Sequence, residues 1–162
     1  MKSFWLLKSE PSAFSLEDLQ QRPGQTEPWD GVRNYQARNF MRDRMQVGDR
    51  AFFYHSNCDV PAIVGIVSIA SRSYADPTQF DPAAGHYDPK STPDEPRWFL
   101  VDVHYERHLR RAISLAELKA RADALPGFQL LARGNRLSVM PVVAEHWETI
   151  LALEDQSAPT GL

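Results

Sequence analysis

From Trp29 to Phe40 the chain reads Trp-Asp-Gly-Val-Arg-Asn-Tyr-Gln-Ala-Arg-Asn-Phe, a run in which aromatic, amide and guanidinium groups crowd around one glycine. Trp29 and Tyr35 offer flat faces for stacking. Asn34, Gln36 and Asn39 carry paired donors and acceptors, and Arg33 and Arg38 can meet a phosphate or lie against a ring. A nucleobase is a flat ring with a hydrogen-bonding edge, and these are the groups that hold one. The plainer reading makes Trp29 a core anchor at the start of a helix and leaves the arginines in solvent.

Other chemistries find less support. His55, Cys58 and His86 follow no tight metal-ligand spacing, so neither a metal nor another cofactor is expected. Cys58 with His55 three residues earlier would flank a turn and makes a poor nucleophile and base. The carboxylate pairs Glu17–Asp18 and Asp94–Glu95 fall in a helix cap and a Pro-rich loop, where solvation accounts for them. No glycine loop suited to phosphates is present, and Gly134-Asn135 is a turn signal.

The chain has 162 residues, enough for one domain with a core that needs no disulfide or metal. The domain is expected over 1–154, with a flexible tail at 155–162. A net charge of -3 gives no general attraction to polyanions, so a nucleic acid would be met through a local basic patch or as one nucleotide in a pocket. The single cysteine excludes an internal disulfide and fits a reducing compartment, with the cytoplasm as the default. The apolar run near the N-terminus is too short for a signal peptide, and no segment reaches the length of a membrane span, so no membrane partner is expected.

The elements that would position the cluster read as follows. Phe4 to Lys8 is a compact apolar strand stopped at Pro11, and Ser15-Leu16-Glu17-Asp18 is a capping box opening a helix to about Gln21. Asn34 or Asn39 can start a helix towards Met45, after which strands at Arg50 to His55 and Ala62 to Ile69 form a hairpin, with Gly65 marking a close approach. Asp76 to Pro96 carries five prolines together with Phe80, His86 and Tyr87, and reads as a long ordered loop. Trp98 to Tyr105 alternates as a half-buried strand. A second capping box at Ser114 starts a helix ended by Pro126-Gly127. A turn at Phe128 to Ala132, a strand at Leu137 to Met140 and a helix from Ala144 to Leu153 follow. This is an α+β chain without a dinucleotide fingerprint, best read as a small mixed β-barrel flanked by helices.

Several blocks together resemble the EVE-domain family: Phe-Trp-Leu-Leu-Lys-Ser-Glu-Pro at 4–11, Trp-Asp-Gly-Val-Arg-Asn-Tyr-Gln-Ala-Arg-Asn at 29–39, Phe-Tyr-His-Ser-Asn at 53–57, Tyr-Asp-Pro-Lys-Ser at 87–91 and Arg-Leu-Ser-Val-Met-Pro-Val at 136–142. The resemblance implies a PUA-like β-barrel related to the YTH readers of methylated adenine, with a pocket for a modified base such as a modified cytosine in DNA or RNA. By that likeness Trp29 is a wall of the base cage and Lys8 and Ser9 supply its floor. Asp30, Val32 and Asn34 line the rim, with Arg33 beside them. Tyr54, His55 and Ser56 leave a barrel strand facing the cavity, Tyr87 closes it and Ser138 borders it.

The leading expectation is a non-catalytic reader acting as a monomer, its partner a nucleic acid carrying a modified base. The alternative is an enzyme acting on a nucleotide or RNA, with His55 paired with Lys8 or Asp30 as acid and base. A third reading is a scaffold that binds protein through Trp98 and the long loop.

Overall fold

The computed structural model describes residues 2–160. Six strands form one mixed sheet: β1 (Phe4–Ser9), β2 (Thr26–Pro28), β3 (Arg50–His55), β4 (Ala62–Ile69), β7 (Asp102–Ser114) and β8 (Val139–Val142), in the order β2-β7-β4-β3-β1-β8. A separate ribbon pairs β5 (Tyr74–Ala75) with β6 (Phe99–Leu100). The helices are α1 (Leu16–Gln21), α2 (Tyr35–Asn39), α3 (Leu115–Ala120) and α4 (Ala144–Leu153). None of them, among the described residues, is long and apolar enough to cross a membrane.

The apolar runs explain the layering. Trp5, Leu6 and Leu7 are successive residues of β1 and all buried, so both faces of the sheet are covered. Phe52 and Phe53 point to opposite faces. Phe52 stacks on Trp147 of α4 at 3.9 Å, while Phe53 meets Trp29 at 5.5 Å on the other side. Trp29 follows β2, one edge of the sheet, yet its ring touches the central β3. The sheet is therefore curled into a half-barrel, open between β2 and β8.

Gly65 sits at a break in the β4–β7 ladder. The β4–β7 register slips at Ile63/Gly65, and a Cβ on Gly65 would lie 2.2 Å from Leu16 Cδ2 and 2.6 Å from the Arg107 carbonyl. The close approach read from the sequence is thus made by α1 and the bulged neighbouring strand.

The β3–β4 hairpin, the first strand and the last helix form where the sequence places them. The Ser15 capping box is complete, with Asp18 N–H donating to Ser15 Oγ and Ser15 N–H donating to Asp18 Oδ2. Other elements differ. Asn34 caps α2, but the helix then widens into one π turn at Phe40–Arg44 before Met45. The strand expected at Trp98 to Tyr105 splits into β6 and β7, and β7 runs on to Ser114 through Arg107, Arg110 and Arg111, whose ion pairs with Glu154, Asp155 and Glu117 make a charged strand tolerable. Helix α3 stops at Ala120, well before Pro126, and its second capping box is only half made. Ser114 accepts from Glu117 N–H, while the Glu117 carboxylate is buried against Arg111. The strand expected at Leu137 to Met140 forms two residues later. Asp155 and Gln156, placed in the tail from sequence, bond Arg110 and Arg111.

Candidate nucleic-acid site

The gap between the two edges of the sheet holds a cavity of about 540 Å³. Glu27 and Pro28 of β2 line one side. Lys8 and Ser9 at the end of β1, with Ser138 just before β8, line the other. Trp29 to Arg33 bridge the gap, Phe14 closes one flank and His86 the mouth.

Each wall has a local cause. Trp29 N–H donates to the Val101 carbonyl at 2.9 Å, continuing the β2–β7 ladder by one bond. The ring, 8% exposed, is held by edge contacts with Phe53 and Phe14 at interplanar angles of 81° and 73°. Trp29 thus belongs to the apolar core while also bordering the cavity. Lys8 N–H donates to the Ser138 carbonyl at 2.8 Å, tying the two strands that form the far wall. Gly31 turns the chain with φ +81°, and the His86 ring lies so close that a Cβ there would be 2.6 Å from Nε2.

The bridging segment is fastened by Asp76 and the long loop. The Asp76 carboxylate accepts from Gly31 N–H at 2.8 Å, from Arg33 at 3.0 Å and from the Thr78 amide and hydroxyl. Burial acts to raise its pKa, but these bonds outweigh burial and hold it below the usual carboxylate range. Gln79, also fully buried, donates to the Asp76 and Trp98 carbonyls and accepts from Ser91, Arg97 and Trp98, so the loop is stitched closed around one amide.

Two polar groups in the cavity are left unmatched. The Lys8 ammonium meets no acceptor among the described residues, and burial pushes its pKa down. The Asp30 carboxylate accepts no bond from another of the described residues, and burial followed by the nearby Asp76 charge pushes its pKa up. An unspent donor and an unspent acceptor beside a fixed indole suit the edge and face of a planar heterocycle.

Residues 3–153 match the EVE domain family. The chain belongs to it. Thymocyte nuclear protein 1 of Danio rerio is 49% identical over 170 residues, covering 95% of this chain and 73% of that protein. The Homo sapiens protein of the same name is 45% identical, covering 96% and 76%. A crystal structure of the human protein in complex with 5-methylcytosine containing DNA superposes with a TM-score of 0.92 at 45% identity, covering 98% of this chain and 100% of that one. A Pseudomonas syringae protein superposes with a TM-score of 0.88 at 47% identity, over 94% and 99%. A YTH domain of Zygosaccharomyces rouxii shares the fold at 15% identity and a TM-score of 0.52.

In this EVE domain the cavity gathers Lys8, Ser9, Trp29, Asp30, Val32, Arg33 and Ser138 from the residues read in the sequence. Asn34, Tyr54, His55, Ser56 and Tyr87 lie outside its lining. Asn34 spends its side chain on Ala37 N–H as a helix cap. Tyr54 is 3% exposed, and burial pushes its phenol up to about 12. His55 Nε2 accepts from Leu16 N–H at 3.1 Å, so the ring is neutral with its proton on Nδ1, and burial pulls its pKa down. Ser56 N–H donates to the Ser9 carbonyl, and Tyr87 is exposed.

Neighbouring assignments change as well. Arg33 spends its guanidinium on Asp76, Thr78 and the His86 carbonyl, so it braces the wall and is not a free phosphate ligand. Tyr35 stacks on Trp98 at 4.7 Å, and Trp98 is itself buried with Nε1 donating to Asp88, which removes it as an exposed docking residue. Phe14, Gly31 and His86 join the cavity without having been read as site residues. Phe14 had a local signal, an apolar residue just ahead of a helix cap. His86 had only its place in the long loop.

Proposed function

We propose that this EVE domain binds a modified nucleobase, of the 5-methylcytosine class, turned out of its strand into the cavity beside Trp29, and performs no chemistry on it. The observation that carries this reading is a base-sized void bordered by Trp29 that also holds an unmatched donor, Lys8, and an unmatched acceptor, Asp30. A cytosine edge offers an exocyclic amine to a carboxylate and ring nitrogen and carbonyl acceptors to an ammonium or hydroxyl. The likeness to a human protein in complex with 5-methylcytosine containing DNA supports the same class of ligand. Aromatic stacking is worth about 1 to 3 kcal/mol per base, which offsets the few kcal/mol of unstacking. One added methyl gains about 1 kcal/mol, so discrimination over cytosine should be about five-fold unless a hydrogen bond adds to it.

The non-catalytic reading is supported by His55, whose Nε2 is taken up by the Leu16 amide away from the cavity. The test is binding of labelled oligonucleotides carrying cytosine or 5-methylcytosine to the wild type and to Trp29→Ala. The variant should lose the preference and most of the affinity while keeping its circular dichroism spectrum. Unchanged affinity would remove Trp29 from the site.

A further inference from the structure

A second hollow, of about 400 Å³, lies against the base cavity and is lined by Asn34, Gln36, Arg133, Asn135 and Arg136 among others, with no carboxylate in its lining. Two chain segments run from one hollow into the other. Asn34 follows Arg33 of the cavity wall, and Leu137 precedes Ser138, which borders the cavity and bonds Lys8. We propose that this hollow seats the sugar-phosphate backbone flanking the captured base, with Arg133 and Arg136 each meeting a phosphate. The proposal rests on the base-binding reading and adds the path of the strand.

The charge distribution, together with continuity with the base cavity, favours this surface. The chain has 18 basic and 21 acidic residues, so a polyanion needs a place where cations are not already neutralised. Arg22, Arg33, Arg42, Arg50, Arg107, Arg110, Arg111 and Arg121 all carry carboxylate partners. Arg133 and Arg136 are exposed and meet no carboxylate among the described residues; Arg38, Arg44, Arg72 and Arg97 make no ion pair either, but none of them lines the hollow whose segments run into the base cavity. The hollow beside Arg107 and Arg110, by contrast, also contains Glu148, Glu154 and Asp155. The loop bearing the two free guanidinium groups is ordered from within: Asn135 donates to the Gln129 carbonyl at 2.8 Å and accepts from Leu137 N–H at 3.1 Å. The Gln36 amide, exposed on the facing segment, can add a phosphate or sugar contact.

The test is the salt dependence of binding, with wild type, Arg133→Gln/Arg136→Gln and Trp29→Ala titrated against the same cytosine and 5-methylcytosine oligonucleotides. Each phosphate contact contributes about 0.9 to the slope of log affinity against log salt on duplex DNA and about 0.7 on a single strand. The double variant should therefore lower the slope by about 1.8 or about 1.4. It should also weaken both oligonucleotides equally and leave the preference for the methylated one intact. A double variant with unchanged slope and affinity overturns the proposal, and so does a wild type that binds neither oligonucleotide. Loss of methyl preference in neither variant, with the slope change present, overturns the base-cage reading while leaving the phosphate path standing.

Discussion

Arg33 and Asp76 meet at 3.0 Å, with the carboxylate 1% exposed and the guanidinium 21% exposed. The pair joins the bridging segment of the cavity to the long loop, and the same carboxylate fixes the Gly31 turn. Asp76 is not among the residues lining the cavity, so it acts by positioning those that are. Asp76→Asn would set an amide donor against the donors it now accepts from. It should cost about 2 to 4 kcal/mol in stability. Chemical denaturation checks the loss. Oligonucleotide affinity should fall with it, and Thr78→Ala should give a smaller version of both effects.

His55 is predicted to serve stability and not proton transfer. His55→Ala removes the acceptor of the Leu16 amide and should cost about 1 kcal/mol. Preference among oligonucleotides should stay unchanged. The pH dependence has a definite sign. A histidine whose folded pKa is lowered contributes stability that is present above its ordinary value of 6.5 and is lost as the pH falls through the folded value. Wild type should therefore weaken relative to His55→Ala below about pH 6.5. Urea midpoints across that window measure it, and a parallel response of the two proteins would refute the assignment.

Glu154 gives an acid transition of its own. Hydrogen bonds from Arg107 act first, with burial opposing and the Arg110 amide helping, and together they hold its pKa at about 2 against an ordinary 4.5. Its stabilisation is present above pH 4.5 and is lost as the pH falls towards 2, amounting to about 3 kcal/mol at most. Glu154→Gln should be less stable than wild type at neutral pH. The gap should close on acidification, which thermal melts over that range would show.

Asp30 is expected to read the amine edge of the base. Asp30→Ala should weaken binding of a cytosine-type base by about 1 kcal/mol or more. An oligonucleotide with thymine at the same position, which offers no amine there, should be affected less. Competition assays with matched oligonucleotides decide it, and equal losses for both bases would take Asp30 off the edge.

Much of the fold was legible because its signals are local. The Ser15 capping box, the apolar β1 and the β3–β4 hairpin each depend on residues close in sequence. The second half of β7 was hidden because Arg107, Arg110 and Arg111 read as a solvated charge run until Glu154, Asp155 and Glu117 are brought across from elsewhere in the fold. The candidate site divides the same way. Trp29 and its neighbours were visible as an unusual cluster. The roles of Arg33, Asn34 and His55 were not, because chemistry alone does not reveal whether a polar side chain is free or already spent on a backbone group. Asp76 and Gln79 gave no sign in sequence, since their function is to close a loop whose two ends are distant in the chain.

The most direct measurement of the central claim is a crystal structure of the protein soaked with 5-methyl-2′-deoxycytidine monophosphate. The pyrimidine ring should stack on Trp29, with its amine facing Asp30 and Lys8 or Ser138 at the opposite edge. A nucleotide seated elsewhere, or a cavity that stays free of it while the ligand is bound in solution, would contradict it.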